Sequence, residues 1–167
     1  MAETTITNVK RSLMRHFLNI GTAETPNWAL IGNGVSELTV SYNPQTEDHA
    51  YIHEDTPTTD LDSYKPSFPV SMVAKKGEPV FDYVDEKRIA RAVGENAKTE
   101  VLTVYLYKDA STGAYPAEKS NCTVQIDDFG GEGAKTATIN YTVSMNGDPV
   151  QGTFNPQTKT FTEASGE

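Results

Sequence analysis

His49 and His53 stand four residues apart among Glu47, Asp48, Glu54 and Asp55. On a helix that spacing would put two imidazoles on one face, where they could share a zinc ion. In a strand, four residues span roughly 13 Å, too far for one metal, and the neighbouring residues favour strand. Gly130-Gly-Glu-Gly-Ala-Lys-Thr136 approaches a phosphate-binding loop. Ala134 stands where that loop needs glycine, however, and Asp127, Asp128 and Glu132 would repel phosphate. A strand follows instead of a helix N-terminus, so the stretch reads as a flexible connection. Gly32-Asn33-Gly34 is likewise a turn, because no helix follows it. Asp60-Leu-Asp62 and Asp127-Asp128 lack the spacing of a calcium loop, and no Gly-x-Ser-x-Gly elbow occurs. Cys122 alternates with Val124 and Ile126, which makes it a small buried apolar residue rather than a nucleophile. The expectation is a protein that is not an enzyme and needs no metal or cofactor.

The whole chain narrows the classes further. Its 167 residues suit one domain with a real core. Fourteen Lys and Arg against 23 Asp and Glu give a net charge of −9. Such a chain is poorly suited to hold nucleic acid, whose phosphates need clustered cations, or to gain from an anionic membrane surface. The single cysteine forbids an internal disulfide. Arg15 and His16 interrupt the first apolar run, and no stretch approaches the ~18 apolar residues of a membrane helix, so neither a signal peptide nor a membrane span is expected. The hydrophobic share of 37% is low enough that some segments should lie outside the core.

Thr and Tyr are abundant, which favours strands. Residues 28–31 and 35–42 flank Asn33-Gly34, and residues 137–145 and 150–154 flank Asn146-Gly147. Asn-Gly between apolar runs predicts a hairpin, since both turn residues need positive φ. Residues 137–145 alternate, with Ile139, Tyr141 and Val143 on one face and Thr138, Asn140, Thr142 and Ser144 on the other. Residues 100–107 are apolar on both faces, so the second face needs a helix, a sheet or another subunit to cover it. One helix is predicted over 78–93, with Pro79 in its first turn, acids early, bases late and Gly94 at its end. Val80, Phe81, Val84, Ile89, Ala92 and Val93 would form its broad apolar side. Residues 1–25 read as an arm whose Leu13, Met14 and Phe17 dock on a partner. Residues 43–66 read as a long acidic loop, with Thr56 to Tyr64 outside any strand. The body is thus expected over 26–162, and a short tail over 163–167.

Trp28-Ala-Leu-Ile-Gly-Asn-Gly-Val-Ser-Glu-Leu-Thr-Val-Ser-Tyr42, Tyr51-Ile-His-Glu-Asp55 and Tyr64-Lys-Pro-Ser-Phe-Pro-Val70 follow one another in the chain. After them come Lys76-Gly-Glu-Pro-Val-Phe-Asp-Tyr-Val-Asp85, Thr99-Glu-Val-Leu-Thr-Val-Tyr-Leu-Tyr107 and Asn146-Gly-Asp-Pro-Val-Gln-Gly-Thr-Phe154. In this order the segments resemble the tail tube, or major tail, proteins of long non-contractile phage tails. The resemblance runs from about Val9 to near the end, and no single motif is diagnostic. It implies a mainly β fold, a β-sandwich or rolled barrel of about eight strands with one flanking helix. It also implies hexameric rings that stack into a tube in the virion tail, assembled in the host bacterial cytoplasm and traversed by genome DNA. The implied partners are further copies, a tail terminator, a tape measure and a distal tail protein, with no membrane. On that reading Asp55, Thr56, Asp60, Asp62 and Tyr64 stack rings, and Leu13, Met14 and Phe17 of the arm contact a neighbour. A conduit for DNA needs a neutral or acidic wall, and Glu37, Asp127, Thr138, Asn140 and Thr142 are candidates for it. Three other readings stay open: an Ig-like adhesion domain of a virion, a small hydrolase or lipocalin-like binder, and the inner tube of a contractile injection machine.

Overall fold

The computed structural model describes residues 4–166. Nine strands and one α-helix follow in the order β1 (Met14–Asn19), β2 (Trp28–Leu30), β3 (Pro44–His49), β4 (Thr58–Tyr64), β5 (Ser67–Val73), α1 (Pro79–Ala90), β6 (Lys98–Tyr105), β7 (Tyr115–Gly130), β8 (Thr138–Asn155) and β9 (Thr160–Glu163). Seven strands make one sheet in the order β2-β1-β6-β7-β8-β5, with β9 also paired to β8. Every pairing in it is antiparallel. The sheet curls into a half-barrel flanked by the single helix, so the mainly β expectation holds. β3 and β4 form a separate two-stranded hairpin.

The curl has a local cause. The β7–β8 ladder shifts register between Lys119 and Asn121 and again between Ile126 and Asp128. Each irregularity bends the strands and increases their twist. At the first, Asn121 pairs with Asn146 and Lys119 with Val150, so β8 carries extra residues there. Gly147 absorbs them at φ 69°. The Asn146-Gly147 pair therefore makes a bulge within one long strand, and the hairpin expected there does not form. The Asn33-Gly34 turn does form, with Gly34 at φ 82°, but no strand follows it. Val73 N–H donates to the Gly34 carbonyl, and residues 35–40 lie over the core instead of returning as a hairpin.

Bending lets the sheet bury apolar residues on both faces. On one face Phe68, Met72, Cys122, Ile139 and Tyr141 pack with Val80 and Val84 of α1. On the other, Phe17, Trp28, Leu102, Val104, Ala117 and Phe154 form a second cluster, in which the Phe17 and Phe154 rings lie 4.7 Å apart. Val101 and Leu102 are neighbours in β6 yet belong to different clusters. The second apolar face of residues 100–107 is thus covered by the chain's own curled sheet, not by another subunit.

Two boundaries differ from expectation. The arm stops short of β1, because residues 14–18 pair with β6 and residues 16–19 are buried. Phe17 is buried inside its own chain, so it is not an arm contact; Leu13 and Met14 are only half-buried. The helix ends at Ala90, capped by Arg91 in the left-handed region, three residues before Gly94. Its start is as expected: the Glu78 carboxylate accepts from Phe81 N–H at 2.8 Å. Only Val80, Phe81 and Val84 are buried, while Ile89 and Val93 are 61% and 76% exposed.

His16 sits in the first core beside Phe68, with ring centroids 5.0 Å apart, and its Nδ1 lies 3.2 Å from Thr103 Oγ1. Its Nε2 is buried without a protein partner. Burial, with a smaller contribution from Arg11, lowers the imidazole from 6.5 to about 4. At neutral pH it is uncharged both folded and unfolded, and stability is full. As pH falls from 6.5 toward 4, the unfolded chain takes a proton that the folded one refuses, so stability drops by about 3 kcal/mol. Urea unfolding at pH 7 and pH 4.5 checks this: His16→Leu should lose less stability on acidification than the parent. Parallel losses in the two proteins would contradict it.

Candidate assembly surfaces

The sequence of residues 43–64 contains six carboxylates, no Lys and no Arg. Repulsion along such a run opposes packing, yet it folds into the β3–β4 hairpin because its root is tied down. Asn43, at φ 46°, donates through Nδ2 to the Lys65 carbonyl at 3.0 Å and to Ser67 Oγ at 3.2 Å. Lys65 N–H donates to the Tyr42 carbonyl at 3.0 Å, and the Tyr42 and Tyr64 rings meet edge to face. Ser41 and Ser67 form a bridge that joins the hairpin to the start of β5. The hairpin therefore extends from the sheet on a fixed root.

Beyond the root, every residue from 44 to 64 is exposed except the half-buried Gln45 and His49. All seven residues of β4, Leu61 among them, are exposed, as are Tyr51 and Ile52. Pairing puts Glu47, His49, Thr58 and Asp60 on one face and Thr46, Asp48, Thr59 and Leu61 on the other; a register shift with Asp62 as the extra residue then brings Tyr64, opposite Pro44, to the second face. His49 Nε2 lies 3.6 Å from Asp60 and 3.8 Å from Glu47. At the tip, His49, Tyr51 and His53 stack at 6.1 and 6.2 Å. Two-stranded ribbons without a packed face are marginal in water.

The structure brings together the proposed stacking residues: Asp55 and Thr56 in the tip, and Asp60, Asp62 and Tyr64 on β4. It corrects their setting from loop to strand. The signal was present in the alternation of Thr58 and Asp60 against Thr59 and Leu61, but acidity hid it.

A second surface is the polar side of β7 and β8. Asp127 accepts from Gln125 Nε2 at 2.7 Å and from Thr142 Oγ1 at 2.8 Å, and Asp128 accepts from Asn140 Nδ2 at 2.6 Å. Thr138, Asn140 and Thr142 alternate with the buried Ile139, Tyr141 and Val143, as expected. Glu37 is not part of this face. It lies in the segment after β2, lining a groove with Arg11, Arg15 and Leu30.

Chemistry at the remaining sites is spare. Burial pushes the Cys122 thiol up to about 12, which leaves it protonated at neutral pH. Among the described residues, no three His, Cys, Asp or Glu side chains are placed to hold a metal. An open groove of about 680 Å³ beside α1 is lined by Asn19, Tyr83, Lys87, Glu100 and Asn121, and has no histidine or cysteine on its wall.

A curled antiparallel half-barrel with one flanking helix and a projecting hairpin defines the class. No family model matches the sequence, and no curated protein is similar to it in sequence. Solved structures share the fold. A chain from the tail of an empty GTA particle, computed with C6 symmetry, superposes with TM-score 0.62 at 12% identity, over 85% of this chain and 97% of that one. The anti-feeding prophage cap, a tube-terminating cap, gives 0.53 at 10% identity, over 87% and 92%. The sheath/tube terminator of the PVC extracellular contractile injection system gives 0.51 at 12% identity, over 89% and 99%. The fold is therefore one found in components of tail assemblies.

Because no residue of the hairpin from 44 to 64 is buried, removing it should not unfold the body. Replacing residues 45–63 with a short Gly-Ser turn should shift unfolding free energy by less than about 1 kcal/mol. A larger loss in urea titration would show that the hairpin belongs to the core.

Proposed function

We propose that this chain is a structural subunit of a tail tube, whose copies close into rings that stack through the β3–β4 hairpin. The observation that carries the reading is a rooted hairpin with every residue of one strand exposed, whose packing must come from another molecule. The sheet supports ring closure. Its β2 edge is three residues long, and its other edge is shared between β5 and β9, so neighbours joined at these edges would continue the half-barrel and remove open edges. The fold shared with a C6-symmetric tail is consistent with six subunits per ring.

In this reading the tube conducts DNA through its bore in a virion tail. The β7–β8 face, with Thr138, Asn140, Thr142 and Asp127, is the wall. Its carboxylates are already engaged by neighbouring amides and hydroxyls, and it has few groups that would hold phosphate. A terminator, a tape measure and a distal tail protein would complete the tail.

A second reading has its own support. Two of the structures with this fold come from contractile injection machinery and terminate tubes. A terminator would form one ring and stop, whereas a tube subunit would stack without limit.

Electron microscopy of the purified protein decides between them. Tubes of variable length are expected, lost when residues 45–63 are replaced, with Asn140 and Thr142 on the bore. Single rings would favour the terminator, and a strictly monomeric protein at high concentration would sink both. Asn140 and Thr142 on the outer surface would reassign the wall.

A further inference from the structure

Resting on the ring reading, we infer that the joint between neighbouring copies at the edge shared by β5 and β9 runs through β9, and that β5 takes no part in it.

A sheet edge recruits another chain only where its backbone N–H and C=O groups are free. Which residues of β5 point outward follows from its bonds inward. Met145 N–H donates to the Pro66 carbonyl, and Ala74 N–H donates to the Ala137 carbonyl. In the β5–β8 register, the even-numbered residues of β5 therefore bond to β8. Ser67, Pro69, Ser71 and Val73 turn their backbone groups outward. Most of these are already taken. Ser67 and Ser41 exchange two bonds, of 2.8 and 2.9 Å, and Val73 N–H donates to the Gly34 carbonyl at 3.0 Å. Pro69 has no N–H to give. Among the described residues, Ser71 is left with the one unpaired outward N–H of β5.

The segment that closes β5 is itself held in place. Leu38 is buried in the first core, and Val35 and Val40 pack against it. Arg11 Nε donates to the Leu38 carbonyl at 3.0 Å. Residues 34–41 are thus a fixed guard along β5.

β9 has no such guard. Ala164 N–H donates to the Gln151 carbonyl, so in the β8–β9 register Thr160 and Thr162 bond inward and Phe161 and Glu163 point outward. Neither outward N–H has a partner among the described residues. Apart from the half-buried Phe161, β9 is exposed throughout. The path β2-β1-β6-β7-β8-β9 has six strands, each antiparallel to the last, so β9 runs opposite to β2. Copies related by rotation about an axis along the strands would bring β9 of one antiparallel to β2 of the next, a heterologous contact that can close a ring. Ile31 N–H donates to the His16 carbonyl, which turns the backbone groups of Leu30 away from β1, and Leu30 is 40% exposed.

Proline placed at the two edges tests the assignment. At an outward position it removes a donor and leaves the inward ladder intact, as Pro69 already does in β5. Glu163→Pro should raise the concentration needed for assembly roughly tenfold, the worth of one unmet hydrogen bond. Ser71→Pro should assemble as the parent does. Urea unfolding checks that both variants fold, and amide exchange in the parent gives a second readout that needs no variant. The Phe161 and Glu163 amides should slow on assembly, and the Ser71 amide should exchange equally in free and assembled protein. Folded Ser71→Pro protein that cannot assemble, Glu163→Pro protein that assembles as the parent does, or protection gained at Ser71 and not at Glu163 would overturn the assignment while the ring reading stands. A parent protein that forms no rings would overturn both.

Discussion

The pairing of β7 with β8 governs this molecule. These are the two longest strands, of 16 and 18 residues. Straight, they would present one face to a single core and leave the other to solvent. Two bulges bend them, and the bend turns one half of the ladder over Phe17, Trp28 and Leu102 while the other half covers α1. Because both apolar faces are satisfied internally, the subunit's own core does not require a neighbour. Gly152 shows how tightly β9 lies against its ladder partner β8: a Cβ there would lie 2.7 Å from the Phe161 ring and closer still to the Thr162 carbonyl.

That internal closure separates stability from assembly. The body folds on its own core, and the surfaces left over include the hairpin and the polar β7–β8 face. Each is polar or charged with few apolar residues, which disfavours indiscriminate association of the free chain. The hairpin is held only at its root, by Asn43 and the Ser41–Ser67 bridge. A neighbour that orders the rest of it supplies packing which the free chain lacks.

Local pattern carried much of this. The alternation through Ile139, Tyr141 and Val143, the burial of Cys122 and the Glu78-Pro79 helix start were all legible, because each depends on residues close in sequence. Asn146-Gly147 misled, since a bulge and a hairpin ask for the same positive φ and differ only in what pairs alongside. Residues 14–19 read as an arm because their partner, β6, lies far along the chain: His16 meets Thr103 across 87 positions. The β3–β4 hairpin was hidden for a different reason. Its alternation places carboxylates, not apolar groups, on its faces, so periodicity gave no buried side. Ile89 and Val93 fit the helix pattern but lie past the turn that touches the sheet. The polar face of Thr138, Asn140 and Thr142 was legible, whereas the position of Glu37 depends on how residues 31–40 fold over the core.

The central claim is that the hairpin lacks a packing partner in the free subunit and gains one in the assembled tube. Amide hydrogen exchange of residues 44–64 measures this directly, because protection tracks the free energy of local opening. Rapid exchange is expected in the free subunit beyond the Asn43 root, while β6–β8 stay protected, followed by strong protection of the hairpin once tubes form. Equal protection of the hairpin in free and assembled protein would contradict the claim.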